Sequence, residues 1–162
     1  MRGRSASKRR FLAGAFWALS FAWFVFCVFL SSQNGKETGS LSRGIAQAVI
    51  RFLGLSQSFL HPLNSYLRTG AHVAVFFVLT LLSGCASGAS FPGRRSAPLW
   101  PFFPCVLFAV FDEVRKAGIP GRHCSFAEAG LNALGCVLGC TAAYLMFRRY
   151  NRRVSDRAHR NQ

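Results

Sequence analysis

The sequence predicts an all-α polytopic membrane protein with four transmembrane helices and one amphipathic interfacial helix. Three observations carry this. The 162 residues are 51% apolar and include 17 Phe, yet the formal net charge is +15. The cations gather at the ends of long uncharged runs, whereas a water-exposed surface disperses them. Four of those runs approach the length that crosses a hydrocarbon core, about 20 residues.

Residues 1–10 (MRGRSASKRR) carry five cations and no acid. Phe11–Leu30 follows, 20 residues with Ser20 as the one conventional polar side chain. As a helix it reaches about 30 Å, the thickness of the apolar layer. A cleaved signal peptide has a shorter apolar core, about 7–15 residues, and a small-x-small site. This run ends VFLSSQNG and reads as an uncleaved anchor. In the polar stretch 31–61, Leu41, Ile45, Ala48, Val49, Phe52 and Leu53 follow helical spacing opposite Ser42, Arg43, Gln47 and Arg51. That pattern predicts an amphipathic helix lying on the membrane surface or capping the bundle.

The second span is expected at about residues 71–86, its helix starting as early as Pro62, since Pro suits a first turn. SGASFPGRRSA, residues 87–97, is a loop by its Gly, Ser and Pro. The third span, about residues 99–114, is short and opens on Pro101 and Pro104, which predicts an irregular entry or local bilayer thinning. RKAGIPGRH forms a polar turn, and Ser125 with Glu128 has the S-x-x-E form of a capping box. The fourth span runs over Ala129–Phe147 and stops at Arg148-Arg149. Residues 11–147 thus make one membrane domain. The tail, 148–162, holds six arginines and is predicted to be disordered.

Charge placement orients the chain. With four spans and an internal N-terminus, the cytoplasmic segments hold residues 1–10, Arg94, Arg95 and the arginine tail, thirteen of the twenty cations. Glu37, Asp112, Glu113 and Glu128, four of the five acids, fall outside. The positive-inside rule therefore predicts a multi-pass protein of the cell membrane with both termini in the cytoplasm. A net charge of +15 also raises nucleic acid as a partner, but that needs a basic face on a soluble module. Here the aromatics sit inside uncharged runs that no phosphate backbone reaches. Membrane lipids explain the basic flanks more simply.

The cysteines, Cys27, Cys85, Cys105, Cys124, Cys136 and Cys140, form no C-x-x-C pair, and five lie in or beside apolar runs. They read as small packing residues. No phosphate-cradling Gly loop, H-E-x-x-H or G-x-S-x-G is present. No cofactor and no metal are expected. Gly84–Gly88 and Gly135–Gly139 each fit G-x-x-x-G, which favours close helix packing within the chain, with homodimerisation as the other use.

On this topology one membrane edge collects the unusual polar groups. Ser31, Ser32 and Gln33 leave the first span there. Arg68 and His72 lie one turn apart on the second. Asp112 and Glu113 end the third, Arg122 sits in the turn, and Glu128 and Asn132 lie a turn apart on the fourth. Ionisable groups at membrane depth are costly, so they pair or act. Each also has a plainer role: Asp112 pairing with Lys116, Glu128 completing the capping box, Arg122 neutralising Asp112 or Glu113, His72 as a buried neutral imidazole.

DEVRKAGIPGRHCSFAEAGLNALG, residues 112–135, resembles the signature region of the VanZ-like membrane protein family. Asp112, Glu113, Pro120, Gly121, Arg122, Asn132 and Gly135 match its pattern in place. SSQNG after the first span and Arg68 and His72 in RTGAHVAVF resemble two further family features, so the likeness reaches from about residue 20 to 147. Lys116 stands where the family often has Gln, and Glu128 where Asp is usual. Val75 and Phe76 replace an acidic residue and Tyr. The family's namesake is associated with low-level teicoplanin resistance without a settled mechanism. The resemblance, with the polar edge, implies an extracytoplasmic pocket of Ser32, Gln33, Arg68, His72, Asp112, Glu113, Arg122, Glu128 and Asn132. Its expected ligand is an anionic envelope precursor, a lipid headgroup or a glycopeptide. Two alternatives stand beside it: a membrane enzyme acting on a lipid-linked substrate, with Asp112, Glu113 or His72 as general base, and a non-catalytic structural or partner-binding protein.

Overall fold

The structure is a computed structural model that describes residues 2–160, with side chains described for residues 7–34 and 39–150. Met1, Asn161 and Gln162 lie outside the described residues, as do the side chains of Lys36 and Glu37. Five helices follow in order: α1 Arg2–Ser32, α2 Gly35–Leu53, α3 Leu60–Ser90, α4 Phe102–Lys116 and α5 Phe126–Arg160, with no strand among the described residues. Short 3-10 turns at Gln57–Phe59 and Ala97–Leu99 lead into α3 and precede α4. Four stretches are long and apolar enough to cross a membrane: Ser7–Ser32, Gln57–Ser90, Ala97–Lys116 and Phe126–Tyr150.

The burial pattern is that of a protein whose solvent is lipid. Phe103, Leu107, Phe111 and Val114, on one face of α4, are exposed, while Cys105, Ala109, Asp112, Glu113 and Lys116 on the opposite face are buried. Water would reverse that preference, because a soluble protein hides its large apolar side chains and leaves charges outside. The chain is a multi-pass membrane protein.

α3 is the central helix, with α1 and α5 packed along it. The order of contacts gives the directions. Trp17 Nε1 donates to Ser90 Oγ (3.1 Å), Ser20 Oγ meets Ser83 Oγ (2.5 Å), and Trp23 Nε1 donates to the Val75 carbonyl (2.9 Å). Residue numbers rise on α1 as they fall on α3, so this pair is antiparallel. Gly135 and Gly139 of α5 lie against the backbone of Val73 and Phe77, and Gly84 and Gly88 of α3 face Ala143 and Phe147. These numbers rise together, so α3 and α5 run parallel, as a second and fourth span must. Both G-x-x-x-G pairs are thereby used inside the molecule, at an approach that only a missing side chain permits. Between the helices, Phe76, Leu79, Cys105, Ala109 and Cys136 form the apolar core.

Several boundaries differ from expectation. α1 begins at Arg2, since the basic N-terminus has no Pro to stop a helix. The short third span is completed by the Ala97–Leu99 turn, an irregular entry in which Pro101 and Pro104 occupy the start, where no helical N–H is lost. The tail, expected to be disordered, continues α5 as helix to Arg160. No Gly or Pro follows Gly139, and Arg is a good helix former. α2 packs on α3 through Ala46 and Ile50, which are fully buried, whereas Phe52 of the expected apolar stripe faces outward. The seam against the bundle is thus rotated from the one read in sequence, and α2 both caps the bundle and shows an apolar flank to its surroundings.

A Cβ at Gly139 would overlap the Phe77 carbonyl, and neither backbone can yield cheaply. Gly135→Val and Gly139→Val should each lower the unfolding midpoint in detergent, by at least the about 1–3 kcal/mol typical of overpacking. Gly44→Ala, with nothing within 4 Å, should be neutral. Equal midpoints for all three would contradict the α3–α5 seam.

Candidate functional site

α1 and α4 end, and α3 and α5 begin, at the same edge of the bundle. There α4 delivers Asp112, Glu113, Arg115 and Lys116 within one turn and a half. Lys116 is 3% exposed; its ammonium donates to Glu113 Oε1 and lies 3.5 Å from Glu128 Oε2 and 3.9 Å from Asp112 Oδ2. Arg115 turns towards α1, donating to Asp112 Oδ1 (3.3 Å), Ser32 Oγ (2.9 Å) and the Val28 carbonyl (3.4 Å). Glu113, 1% exposed, also accepts from Asn132 Nδ2 and the Ser125 backbone N–H, each at 3.4 Å. Withdrawing one ion from water costs several kcal/mol even after relaxation. A shared ammonium, an amide and a backbone N–H are what offset that cost for Glu113.

The start of α5 shows how local sequence builds this network. Ser125 caps the helix, its Oγ accepting from Glu128 N (3.3 Å). In a full capping box the glutamate would bond back to the N–H of the capping residue. Here Glu113 Oε2 takes that N–H, and the Glu128 carboxylate is released inward. It meets His72 Nε2 (3.3 Å), Lys116 Nζ and Arg68 Nη2 (3.8 Å). His72 Nδ1 lies 3.1 Å from Asn132 Oδ1. Because the Asn132 amide nitrogen donates to Glu113, its oxygen faces His72 and accepts the Nδ1 proton.

Arg122 is placed by a tight turn. Arg122 N donates to the Ile119 carbonyl (3.1 Å) across Pro120 and Gly121, and Gly121 has φ 75°. Pro then Gly at these positions is the type II pattern, which needs the positive φ that glycine supplies. The guanidinium reaches across to the end of α1, donating to the carbonyls of Ser31 (2.9 Å) and Gln33 (3.3 Å). Among the described residues no carboxylate lies within ion-pairing distance of it. Among the described side chains, Asp112, Glu113 and Glu128 are matched by Arg68, Arg115 and Lys116, and none of these carboxylates answers the positive charge of Arg122. A cavity of about 510 Å³ opens beside it, with Ser31, Gln33, Arg68, His72, Asp112, Lys116 and Arg122 on its polar side.

All nine residues singled out in sequence therefore gather at one edge, with differences of role. Gln33 enters through its backbone carbonyl. Ser32 accepts from Arg115 and donates to the Val28 carbonyl (2.6 Å), outside the cavity wall. Arg122 does not neutralise Asp112 or Glu113, and Glu128 does not close a capping box. Sequence reasoning missed Arg115, whose i,i+3 spacing from Asp112 was the available signal. It placed Ser31 at this edge without including it in the pocket, and treated Lys116 only as a departure and a partner of Asp112. No metal was expected, yet donor atoms of His72, Glu113 and Glu128 lie within 4.8 Å of one another, close enough to hold an ion. The Lys116 ammonium stands among them and supplies the positive charge that such a trio would otherwise draw.

Fold and site together define a class: a four-span membrane protein whose buried ionic network holds one edge of the bundle beside an amphipathic cavity. Residues 16–148 match the protein family described as VanZ/LLP1. The chain belongs to that family. No curated protein and no solved structure matches it.

Removing Lys116 leaves Glu113 and Asp112 buried without their shared cation. Lys116→Met should cost about 3–5 kcal/mol, the usual penalty for breaking a buried pair. Arg68→Met, at a half-exposed and long pair, should cost under about 1 kcal/mol. Thermal or denaturant unfolding of both purified variants checks this; equal costs would mean that the ammonium is not the centre of the network.

Proposed function

We propose that this VanZ-like protein binds an anionic cell-envelope component at the polar edge and thereby influences glycopeptide (teicoplanin) susceptibility. The observation that carries the reading is Arg122, a guanidinium held at a cavity wall by two carbonyls and matched by no described carboxylate. Arginine's planar fork pairs well with phosphate or carboxylate oxygens, and two carbonyl contacts leave N–H donors to spare. The surrounding network holds the edge rigid. Asp112 and Glu113 anchor Arg115 and Lys116, while Glu128, His72 and Asn132 extend the same network to α3 and α5. The distribution of cations supports an orientation with both termini in the cytoplasm, which turns this edge outwards to the envelope.

The His72–Glu128 contact supports a second reading, a membrane enzyme in which that pair moves a proton on a lipid-linked substrate. Turnover of a lipid-linked substrate by the purified protein, lost in Glu128→Gln, would favour it.

In a susceptible host, expression of the chain should raise the inhibitory concentration of teicoplanin. Arg122→Ala should return it to the empty-vector value with the membrane abundance of the protein unchanged. A full effect from Arg122→Ala would remove Arg122 from the function. No effect from the unaltered chain would remove the susceptibility claim.

A further inference from the structure

The cavity beside Arg122 is two-sided. Its polar side lies at the bundle edge, while the rest of its wall is apolar, drawn from α2 and α3: Leu41, Ile45, Leu67, Ala71, Ala74 and Val75. On α3 the lining reaches from Arg68 to Val75, a descent of ~10 Å at the helical rise. It ends against Cys27 and Phe76, below the ionic network. A free inorganic anion would use only the upper part. At about 510 Å³ the space falls in the range of small-molecule sites, roughly 300–1,000 Å³.

An independent observation points the same way. Three buried side-chain oxygens among the described residues lack a hydrogen-bond partner: Ser31 Oγ, Asn64 Oδ1 and Thr80 Oγ1. Only Ser31 lines this cavity, and its own carbonyl is one of the two that hold Arg122. A buried hydroxyl without a partner forfeits the hydrogen bonds that water would have supplied. At this position it places an O–H donor beside the unmatched guanidinium.

We infer that the cavity takes an anionic amphiphile: a phosphate or carboxylate head on Arg122 and Ser31 Oγ, with one apolar chain lying between α2 and α3. This rests on the anion-binding reading above and adds to it the chemical class of the ligand and its seat. α2 acts as the outer wall of the chain slot. Its Leu41 and Ile45 cover the slot while Ala46 and Ile50 fasten the helix to the bundle. The small Ala71 and Ala74 on the facing helix leave the room that a hydrocarbon chain needs.

The test uses the purified full-length protein in phosphatidylcholine nanodiscs, with empty nanodiscs as the partition control. It is titrated with dodecyl phosphate, dodecylphosphocholine and inorganic phosphate. Dodecyl phosphate should bind saturably and at least tenfold more tightly than either of the others. Ala71→Trp and Ile45→Trp, which fill the slot from opposite walls, should weaken dodecyl phosphate at least tenfold and leave any phosphate binding unchanged. Arg122→Ala should weaken both anions, and Ser31→Ala should weaken dodecyl phosphate. Equal affinity for dodecyl phosphate and inorganic phosphate would overturn the amphiphile assignment while leaving the anion site standing. So would full binding by both tryptophan variants, or equal binding of the zwitterionic dodecylphosphocholine. No saturable binding of either anion would overturn the anion-binding reading itself. Because the comparison of three probes is made on the unaltered protein, a variant that fails to fold does not decide the outcome.

Discussion

The cost of holding charge away from water governs this molecule. An ionised carboxylate or ammonium inside an apolar layer is stable only when partners replace its hydration. Glu113 and Lys116 are almost fully buried and bonded to each other, and Asp112, Glu128, Asn132, His72 and Arg115 extend that pair into a network. The partners come from α1, α3, α4 and α5. Satisfying a few charges therefore specifies how four helices are stacked and in which register. In a bilayer, where apolar surface gives helices little reason to associate, such contacts and the close glycine seams carry that specification.

The same constraint separates the charges at this edge by how fully each is answered. Glu113 accepts from an ammonium, an amide and a backbone N–H; its hydrogen-bonding capacity is taken up by the fold. Glu128 shares its carboxylate among His72, Arg68 and Lys116, three side chains of the cavity lining. Arg122 is different in kind. The Pro120-Gly121 turn and two carbonyls fix its position, and no carboxylate among the described side chains neutralises its charge. A group held in place but electrostatically unanswered is what a binding site needs, since ordering it on binding then costs little.

Much of this was legible in the sequence, because lipid makes one-dimensional patterns unusually informative. Uncharged runs of spanning length located the four crossings, and the glycine pairs marked seams that the structure places between α3 and α5. The convergence of Arg68, His72, Asp112, Glu113, Arg122, Glu128 and Asn132 followed from topology alone. What could not be read was pairing. Ser125-x-x-Glu128 looks like a complete capping box until a carboxylate twelve residues earlier takes the backbone N–H. The plainer role open to Arg122 was to neutralise Asp112 or Glu113, yet its turn aims it at α1. The face of α2 that meets the bundle, Ala46 and Ile50, was hidden because small and β-branched residues on a mixed helix do not announce their partner. The helical tail was missed by weighing charge over the absence of any helix breaker.

The account requires the PGR turn and the ends of α1 and α4 to share the outer face of the membrane, opposite Arg94 and Arg95. Among the six cysteines Cys124 is exposed, two residues beyond Arg122, and the other five are buried in the helices. Labelling of intact cells with a membrane-impermeant maleimide measures the geometry directly. Cys124 should label without permeabilisation, and Arg95→Cys in a Cys124→Ser background should label only after it. If Cys124 were reached only after permeabilisation, or if both positions were reached from one side, the outward-facing site would not exist.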